Sequence, residues 1–256
     1  MLEENALTLV QITDMHLQND PSMEMKGVNP EQRFLRVLDQ AGKEKADLLL
    51  LTGDLTHHAP ATYSRLVNYL EKISFPSVWI PGNHDLADEM FSIERQGLNR
   101  KRIDLPSWRI LLLDSTSQPD GKGGGSLSAE ELFFLQNELN QASRDVNILI
   151  VLHHHPISVQ SEWQDQIALG NAEEFLQIVE SSAQVRGVVF GHVHQALQAL
   201  YKDIPMFSAP ATAAQFVPQT IRPQIETDAS VAGPAYTRYR LYSSGSIEMD
   251  VCRLPA

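Results

Sequence analysis

Short, continuous runs of hydrophobic residues recur along the chain, and each is followed by a turn that contains polar residues or glycine. The first six runs cover residues 7–13, 47–53, 77–82, 109–115, 147–153 and 185–191. Apolar runs of about four to eight residues between turns are typical of strands that are buried on both faces. The pattern therefore predicts six buried strands.

Helical patterns with start signals lie between several of these strands. Residues 30–44 follow Asn29, a favourable N-cap, and begin with proline, which favours the first turn. Residues 128–142 begin with Ser128 as the cap and place Glu131 three residues later, the spacing of a capping box. Asn171 is expected to cap a further helix over residues 172–180. Alternating strands and helices indicate an α/β fold.

Beyond residue 195 the pattern changes. Four strand-like pieces follow without a strong helix between them, at residues 196–201, 204–209, 236–242 and 246–253. We expect them to form a second, more antiparallel sheet that packs on the first.

Composition narrows the class of protein. The 256 residues, 43% of them hydrophobic, suffice for one domain spanning 1–256. A net charge of −12 disfavours nucleic acids and anionic membranes as partners. The N-terminal residues are acidic, and the apolar stretch after them is too short for a signal peptide or a membrane span. Cys252 is the only cysteine, so no intrachain disulfide can form, and we expect a soluble, cytoplasmic protein.

The most glycine-rich segment is QPDGKGGGS, residues 118–126. It resembles a phosphate-binding loop only superficially, because Lys122 precedes the glycines instead of following them. Such a segment does not hold a helix or a strand, so we predict a mobile surface loop.

All nine histidines fall just beyond predicted strands. The polar residues at these strand ends are Asp14, His16, Asp54, His57, His58, Asn83, His84, Asp85, His153, His154, His155, His192 and His194. Ligands of open α/β sheets bind outside the carboxyl ends of the strands, so we expect these side chains to converge on one site.

Carboxylate, imidazole and amide ligands without cysteine suit Mn, Fe or Zn, but not a structural zinc site. The set is too large for one tetrahedral ion. Asp14, His16, Asp54 and one histidine could hold one metal, while Asp54, an asparagine and two other histidines hold a second. A shared carboxylate would set the ions roughly 3.5 to 4 Å apart, the spacing used for in-line phosphoryl displacement.

The motifs DMH, GD, GNHD, HHP and GHVH, within residues 12–194, resemble the calcineurin-like metallophosphoesterase pattern D-x-H, G-D, G-N-H-[DE], H-x-P and G-H-x-H. The resemblance implies a four-layer αββα sandwich, with two mixed central sheets flanked by helices and a dinuclear metal site at the carboxyl ends of the strands. It assigns one metal to Asp14, His16, Asp54 and His194, and the other to Asp54, Asn83, His154 and His192.

The resemblance also implies catalytic and substrate-binding roles. His84 would not bind metal but would reach the phosphate, to stabilise charge or protonate the leaving oxygen. Asp54 would bridge the metals, and a bridging hydroxide would attack phosphorus in line. Asn83, His84, His16 and His194 would contact the substrate.

The choice among the three consecutive histidines depends on register. Neighbouring side chains alternate around an extended backbone, so they cannot all face one ion. Alignment of H-x-P on Pro156 selects His154, with His153 and His155 pointing away and His153 as the alternative to test. His57 and His58 are expected at the rim of the site.

Residues 25–39, 153–175 and 208–218 are similar to the class III cyclic nucleotide phosphodiesterases, bacterial enzymes that open 3′,5′-cyclic AMP to 5′-AMP. The resemblance implies a small cyclic nucleotide as substrate and two divalent metals, Fe or Mn ahead of Zn or Co. The alternatives are another phosphodiesterase of this fold, such as a glycerophosphodiesterase, and a non-catalytic scaffold. The sequence leaves the oligomeric state open, a homodimer being one possibility.

Overall fold

The computed structural model describes residues 6–93 and 97–256. The acidic N-terminal residues 1–5, used above to argue against a signal peptide, lie outside the described residues. The elements, in chain order, are β1 (Leu7–Ile12), α1 (Pro30–Ala41), β2 (Leu48–Thr52), α2 (Thr62–Leu70), β3 (Ser77–Ile80), α3 (Ala87–Phe91), β4 (Arg102–Leu105), β5 (Trp108–Leu112), α4 (Ala129–Gln141), β6 (Asn147–Val151), α5 (Glu162–Asp165), α6 (Ala172–Glu180), β7 (Val185–Phe190), β8 (Leu197–Tyr201), β9 (Ile204–Ser208), β10 (Ala235–Leu241) and β11 (Ile247–Arg253).

The strands form two mixed sheets. The first has the order β11-β10-β1-β2-β3, in which β1, β2 and β3 are parallel and β10 and β11 are antiparallel to their neighbours. The second has the order β4-β5-β6-β7-β9-β8, in which β5, β6, β7 and β9 are parallel and the two edge strands are antiparallel. The parallel strands place their carboxyl ends at one end of each sheet.

Alternating strand residues build a layered core. In β2, Leu48 and Leu50 face the second sheet, while Leu49 and Leu51 face the outer layer, where α1 and α2 pack. In β6, Leu149 faces the first sheet and its neighbours face α4 and α6. Apart from Thr52 and Asn147 at their ends, these two strands are apolar because both faces are buried. The two sheets with helices on their outer faces form the predicted four-layer αββα fold.

Most of the predicted elements are confirmed. The six apolar runs correspond to β1, β2, β3, β5, β6 and β7, and only β5 begins one residue before its run. Asn29 accepts a hydrogen bond from the Gln32 amide, and Ser128 accepts one from the Glu131 amide, as predicted for the two caps. Asn171 precedes α6 but makes no side-chain cap; its amide group instead bonds the backbone of Leu127.

One expectation about strands was wrong, and one strand was not predicted. The strands after residue 195 do not form a separate sheet: β8 and β9 extend the second sheet, and β10 and β11 extend the first. By joining β7 and β1, they satisfy backbone groups that would otherwise be open sheet edges. The pattern also missed β4, whose residues alternate between exposed and half-buried positions at an edge. Within the described ranges, no helix is long and apolar enough to cross a membrane.

Candidate metal centre

The turns after the parallel strands meet at one end of the two sheets. The turn after β1 pairs with the turn after β2, because Asp14 N–H donates to Gly53 O at 3.1 Å and His16 N–H donates to Asp54 O at 2.9 Å. The Asp14 and Asp54 side chains are thereby buried side by side.

The first group of donor residues is Asp14, His16, Asp54 and His194. One donor atom from each lies within 4.8 Å of all the others. His16 Nε2 lies 3.6 Å from Asp54 Oδ2, and His194 Nε2 lies 3.4 Å from Asp14 Oδ1. The four residues assigned to the first metal from the sequence thus lie together, and their role as ligands stays a prediction.

The second group consists of Asp54, His153 and His192, whose donor atoms also lie within 4.8 Å of one another. Nε2 of His153 lies 3.5 Å from Asp54 Oδ1, 3.2 Å from His192 Nδ1 and 3.2 Å from Asn83 Oδ1. Asp54 therefore turns one oxygen towards each group, as expected of a bridging ligand.

His153, not His154, reaches the second group. The expectation that His153 points away does not agree with the structure, because it continues the face of β6 that carries Leu149 and Val151 towards the first sheet. His154 continues the opposite face, with Ile150 and Leu152. The sequence could not distinguish the two faces because both are apolar.

His154 has no free lone pair for a metal. Gly123 O, which can only accept, lies 3.1 Å from His154 Nε2, so this nitrogen carries the proton of the neutral ring. Nδ1 therefore accepts from the Ser115 O–H at 2.8 Å, and Ser115 Oγ in turn accepts the backbone N–H of His154 at 3.1 Å. Burial, together with the charge of His153, lowers the pKa of His154 to about 3, which keeps the ring neutral.

Backbone carbonyls orient three of the clustered imidazoles. His153 Nδ1 lies 2.8 Å from Thr52 O, His194 Nδ1 2.6 Å from Ala214 O, and His192 Nε2 3.0 Å from Ile167 O. A carbonyl can only accept, so these nitrogens carry protons, and the opposite ring nitrogens, once deprotonated, present their lone pairs to the cluster. Metal-ligating histidines are typically oriented in this way.

The site also holds its residues in an uncommon backbone conformation. The φ angles are 51° at Asp14, 47° at His16, 50° at Asp54, 70° at His192 and 54° at His194, all in the left-handed region. Each such residue costs roughly 1–3 kcal/mol and persists only where the surroundings enforce it, often at functional sites.

Glycines permit this close packing. A Cβ at Gly82 would lie 2.3 Å from Asp54 N, and one at Gly191 would lie 2.3 Å from Thr13 Oγ1. The glycines of the GNHD and GHVH motifs are therefore required by contact with the neighbouring turns.

The charges of the cluster fit divalent cations. Within the described part of the chain, neither Asp14 nor Asp54 forms an ion pair with lysine or arginine. Burial opposes charge on His153, but the carboxylates of Asp54 and Asp14 outweigh it and raise its pKa to about 9. Burial and the neighbouring imidazoles hold the pKa of His192 well below its usual value. Buried carboxylates that hold a proton on a neighbouring buried imidazole form a donor set for cations such as Mn, Fe or Zn, which replace that proton when they bind.

His84 lies at the mouth of the site. Its N–H donates to Asp54 Oδ1 at 2.8 Å, its ring centroid is 4.9 Å from that of His16, and its ring stacks on His57 at 4.5 Å. Burial lowers the pKa of His84. His58 lies next to this pair, with its ring centroid 5.2 Å from that of His84.

Asp85, the last residue of the GNHD motif, connects two turns. Its carboxylate accepts the N–H groups of Leu55, Thr56 and Gly82 at 2.9–3.0 Å and the Tyr63 O–H at 2.9 Å. This support for the turns that carry Asp54 and Asn83 was not predicted from the sequence, although the position of Asp85 within the motif was a signal.

A cleft of about 190 Å³ opens onto the cluster. Besides donor residues, it is lined by Lys26, Lys122, Trp163 and Phe216. The Trp163 and Phe216 rings lie 4.9 Å apart, and Lys26 Nζ lies 5.5 Å from the Phe216 ring. A larger cavity of about 310 Å³ beside Trp79 contains none of the candidate donors, so the smaller cleft is the candidate substrate site.

Fold and site together define a protein with a candidate two-metal centre at one end of two mixed sheets. A family model described as calcineurin-like phosphoesterase matches residues 7–196. The chain therefore belongs to the calcineurin-like phosphoesterase family.

Similar proteins extend the match to nearly the whole chain. A Vibrio vulnificus protein named 3′,5′-cyclic adenosine monophosphate phosphodiesterase CpdA is 37% identical, covering 99% of this chain and 92% of the relative. A Nostoc protein named 3′,5′-cyclic-nucleotide phosphodiesterase is 32% identical, covering 100% and 95%. A dimetal phosphatase from Danio rerio has the same fold, with a TM-score of 0.69 at 13% identity and 96% coverage of both chains.

Proposed function

We propose that this protein is a metal-dependent phosphodiesterase that hydrolyses 3′,5′-cyclic AMP to 5′-AMP. The class of reaction is inferred from the position of Asp54, because its two carboxylate oxygens face two different donor groups. The names of relatives that match almost the full chain support the cyclic nucleotide as substrate.

The first metal would be held by Asp14, His16, Asp54 and His194, and the second by Asp54, Asn83, His153 and His192. We propose His153 in place of His154, for the reasons of geometry and hydrogen bonding given above. Fe or Mn are the expected ions, with Zn or Co as alternatives, because all accept carboxylate and imidazole ligands. When bound, two cations neutralise the charge of a phosphodiester and activate water as the nucleophile.

The residues around the metals bind and orient the substrate. His84 lies at the mouth of the cleft and can donate an N–H to a phosphate oxygen or to the leaving 3′ oxygen. Asn83, His16 and His194 line the same cleft and would contact the phosphate as it approaches. The apolar walls at Trp163 and Phe216 exclude water on the side where the nucleoside would lie.

A substrate comparison tests this function. Purified protein loaded with Mn²⁺ should convert cyclic AMP to 5′-AMP, identified by chromatography, and should leave glycerophosphocholine unchanged. The Asp54→Ala variant, purified in parallel, controls for contaminating phosphodiesterases. Turnover of glycerophosphocholine without turnover of cyclic AMP would establish the other phosphodiesterase. Two bound metals with no turnover of either diester would favour a scaffold.

We place the protein in the cytoplasm. The single Cys252 leaves no disulfide that would require an oxidising compartment. Fractionation of the producing cells, with a periplasmic marker enzyme as control, tests this placement.

A further inference from the structure

The glycine-rich loop, residues 118–126, is closed by its own hydrogen bonds rather than loose. Asp120 Oδ1 accepts the N–H groups of Lys122, Gly123 and Gly124 at 2.7, 3.0 and 2.9 Å. At the base of the loop, Ser126 N–H donates to Ser117 O at 2.7 Å. The backbone of the loop therefore has a defined path.

His154 ties this loop to the end of β6. The ring donates from Nε2 to Gly123 O and is held from behind by Ser115. The loop also packs against the histidine, since a Cβ at Gly125 would lie 2.8 Å from His154 Cε1 and 2.3 Å from Ser115 O. This fully buried imidazole thus bonds a loop rather than the candidate metal cluster.

The tied loop forms one wall of the cleft. Lys122 and Gly123 both line it, and a Cβ at Gly123 would lie only 3.6 Å from Asn83 Nδ2. Lys26 and Lys122 are the only lysines or arginines among the described lining residues, and the Lys26 ammonium lies over the Phe216 ring. In a chain with a net charge of −12, Lys122 is therefore well placed to attract an anion.

We propose that the loop of residues 118–126 belongs to the substrate site, that Lys122 binds the phosphate of the ligand, and that His154 is the residue that positions the loop. The inference deepens the proposed phosphodiesterase function and rests on it. A monoester product carries more negative charge than the diester substrate, so Lys122 also holds the product more strongly than the substrate.

The charge is tested with Lys122→Met. Calorimetry on the Mn²⁺-loaded protein, with inorganic phosphate as the probe, should show a Kd about five- to tenfold higher than in the wild type, with a weaker dependence on salt. Lys122→Arg should retain phosphate binding. Lys45→Met removes the same charge from an exposed position before the amino end of β2, away from the cleft, and should leave the Kd unchanged. An unchanged Kd in Lys122→Met overturns the role of this lysine.

The positioning role is tested with His154→Ala. Hydrogen exchange of the amides at 118–126 should become faster, the KM for cyclic AMP should rise, and two metal equivalents should remain by elemental analysis. His154→Gln, whose amide can donate to Gly123 O, should restore part of the protection. Loss of one metal equivalent, or exchange unchanged from the wild type, overturns the proposal.

These readouts separate the two proposals. Phosphate affinity, amide exchange and metal content are measured without turnover. If the wild-type protein does not hydrolyse cyclic AMP, the proposed function fails, while the effects of Lys122→Met and His154→Ala on these three measurements still decide the role of the loop.

Discussion

The two candidate donor groups share Asp54 but are supported in different ways. In the first group, all four residues have left-handed backbone angles, and within the described residues His16 Nδ1 has no hydrogen-bond partner. The geometry of the first group comes mainly from strained turns, and only the ring of His194 is also oriented by a carbonyl, that of Ala214.

In the second group, hydrogen bonds fix the ring directions. His153 is held by Thr52 O and His192 by Ile167 O; Asn83 and His153 keep ordinary backbone angles, and His192 has a left-handed one. A site held by turn conformation depends on local sequence, whereas a site held by distant carbonyls depends on the packing of the two sheets. The first should therefore be easier to predict from sequence, and the second more sensitive to changes in how distant segments pack together.

Substitution of the shared carboxylate, Asp54, should have the largest effect on metal binding and turnover. Asp54→Ala removes the ligand common to both groups, so both metal equivalents should be lost together, and turnover should fall on the order of 10³-fold or more. Elemental analysis and kcat measured on the same preparation check this. Retention of one tightly bound equivalent with substantial activity would show that the two groups do not depend on a common bridge.

Substitution of a ligand that belongs to only one group should lower kcat less and should remove only one of the two metal equivalents. His153→Ala should lose the second equivalent and keep the first, with a fall in kcat of about 10²-fold from the loss of one charge-stabilising cation. Metal titration followed by calorimetry distinguishes the two binding steps. The matched control is His154→Ala, which should keep both equivalents. If the control loses an equivalent and His153→Ala does not, the H-x-P alignment gave the correct ligand.

His84 belongs to neither group, and its removal should separate chemistry from metal binding. His84→Ala should keep both equivalents and lower kcat by about 10²-fold, because a donor to the phosphate or to the leaving oxygen is lost. Metal content and steady-state kinetics on one preparation test it. A lost equivalent would place His84 among the ligands.

The difference between the groups also explains what the sequence could predict. The sequence could predict that Asp14, His16 and His194 lie together, because each is within three residues of the end of a strong apolar run and parallel strands bring such positions together. His153 was missed because its direction depends on which face of β6 meets the other sheet, and that face contacts a carbonyl 101 residues away. The destinations of β10 and β11 were missed for the same reason, since an edge strand's partner is not encoded locally.

The loop of residues 118–126 shows the same limit. Its glycines correctly indicated that it would be neither helix nor strand, but the tie to His154 crosses 31 positions of sequence. Composition indicates how much conformational freedom a segment would have in isolation. It does not show that a distant residue, here His154, restricts that conformation through a hydrogen bond.

The substitution with the smallest expected effect is Tyr63→Phe. It tests whether residues that do not themselves bind metal help to hold the second donor group in place. Tyr63 O–H donates to Asp85, which fixes the turns of Asp54 and Asn83, and the same oxygen accepts the Leu86 N–H at 2.8 Å. Tyr63→Phe should cost about 1–2 kcal/mol of unfolding free energy, because a buried carboxylate and an amide each lose a partner.

Metal affinity distinguishes this role from general destabilisation. Tyr63→Phe should weaken the second metal step several-fold, less than the 10–100-fold typical of residues that bond a ligand directly, because Tyr63 acts through Asp85. Tyr69→Phe is the matched control: its O–H donates to Glu31 at 2.7 Å, so it should lower stability without changing either metal step. Urea unfolding and Mn²⁺ titration on both variants give the comparison. If Tyr63→Phe and Tyr69→Phe bind metal equally well, the second donor group is held in place only by the hydrogen bonds of its own ligands.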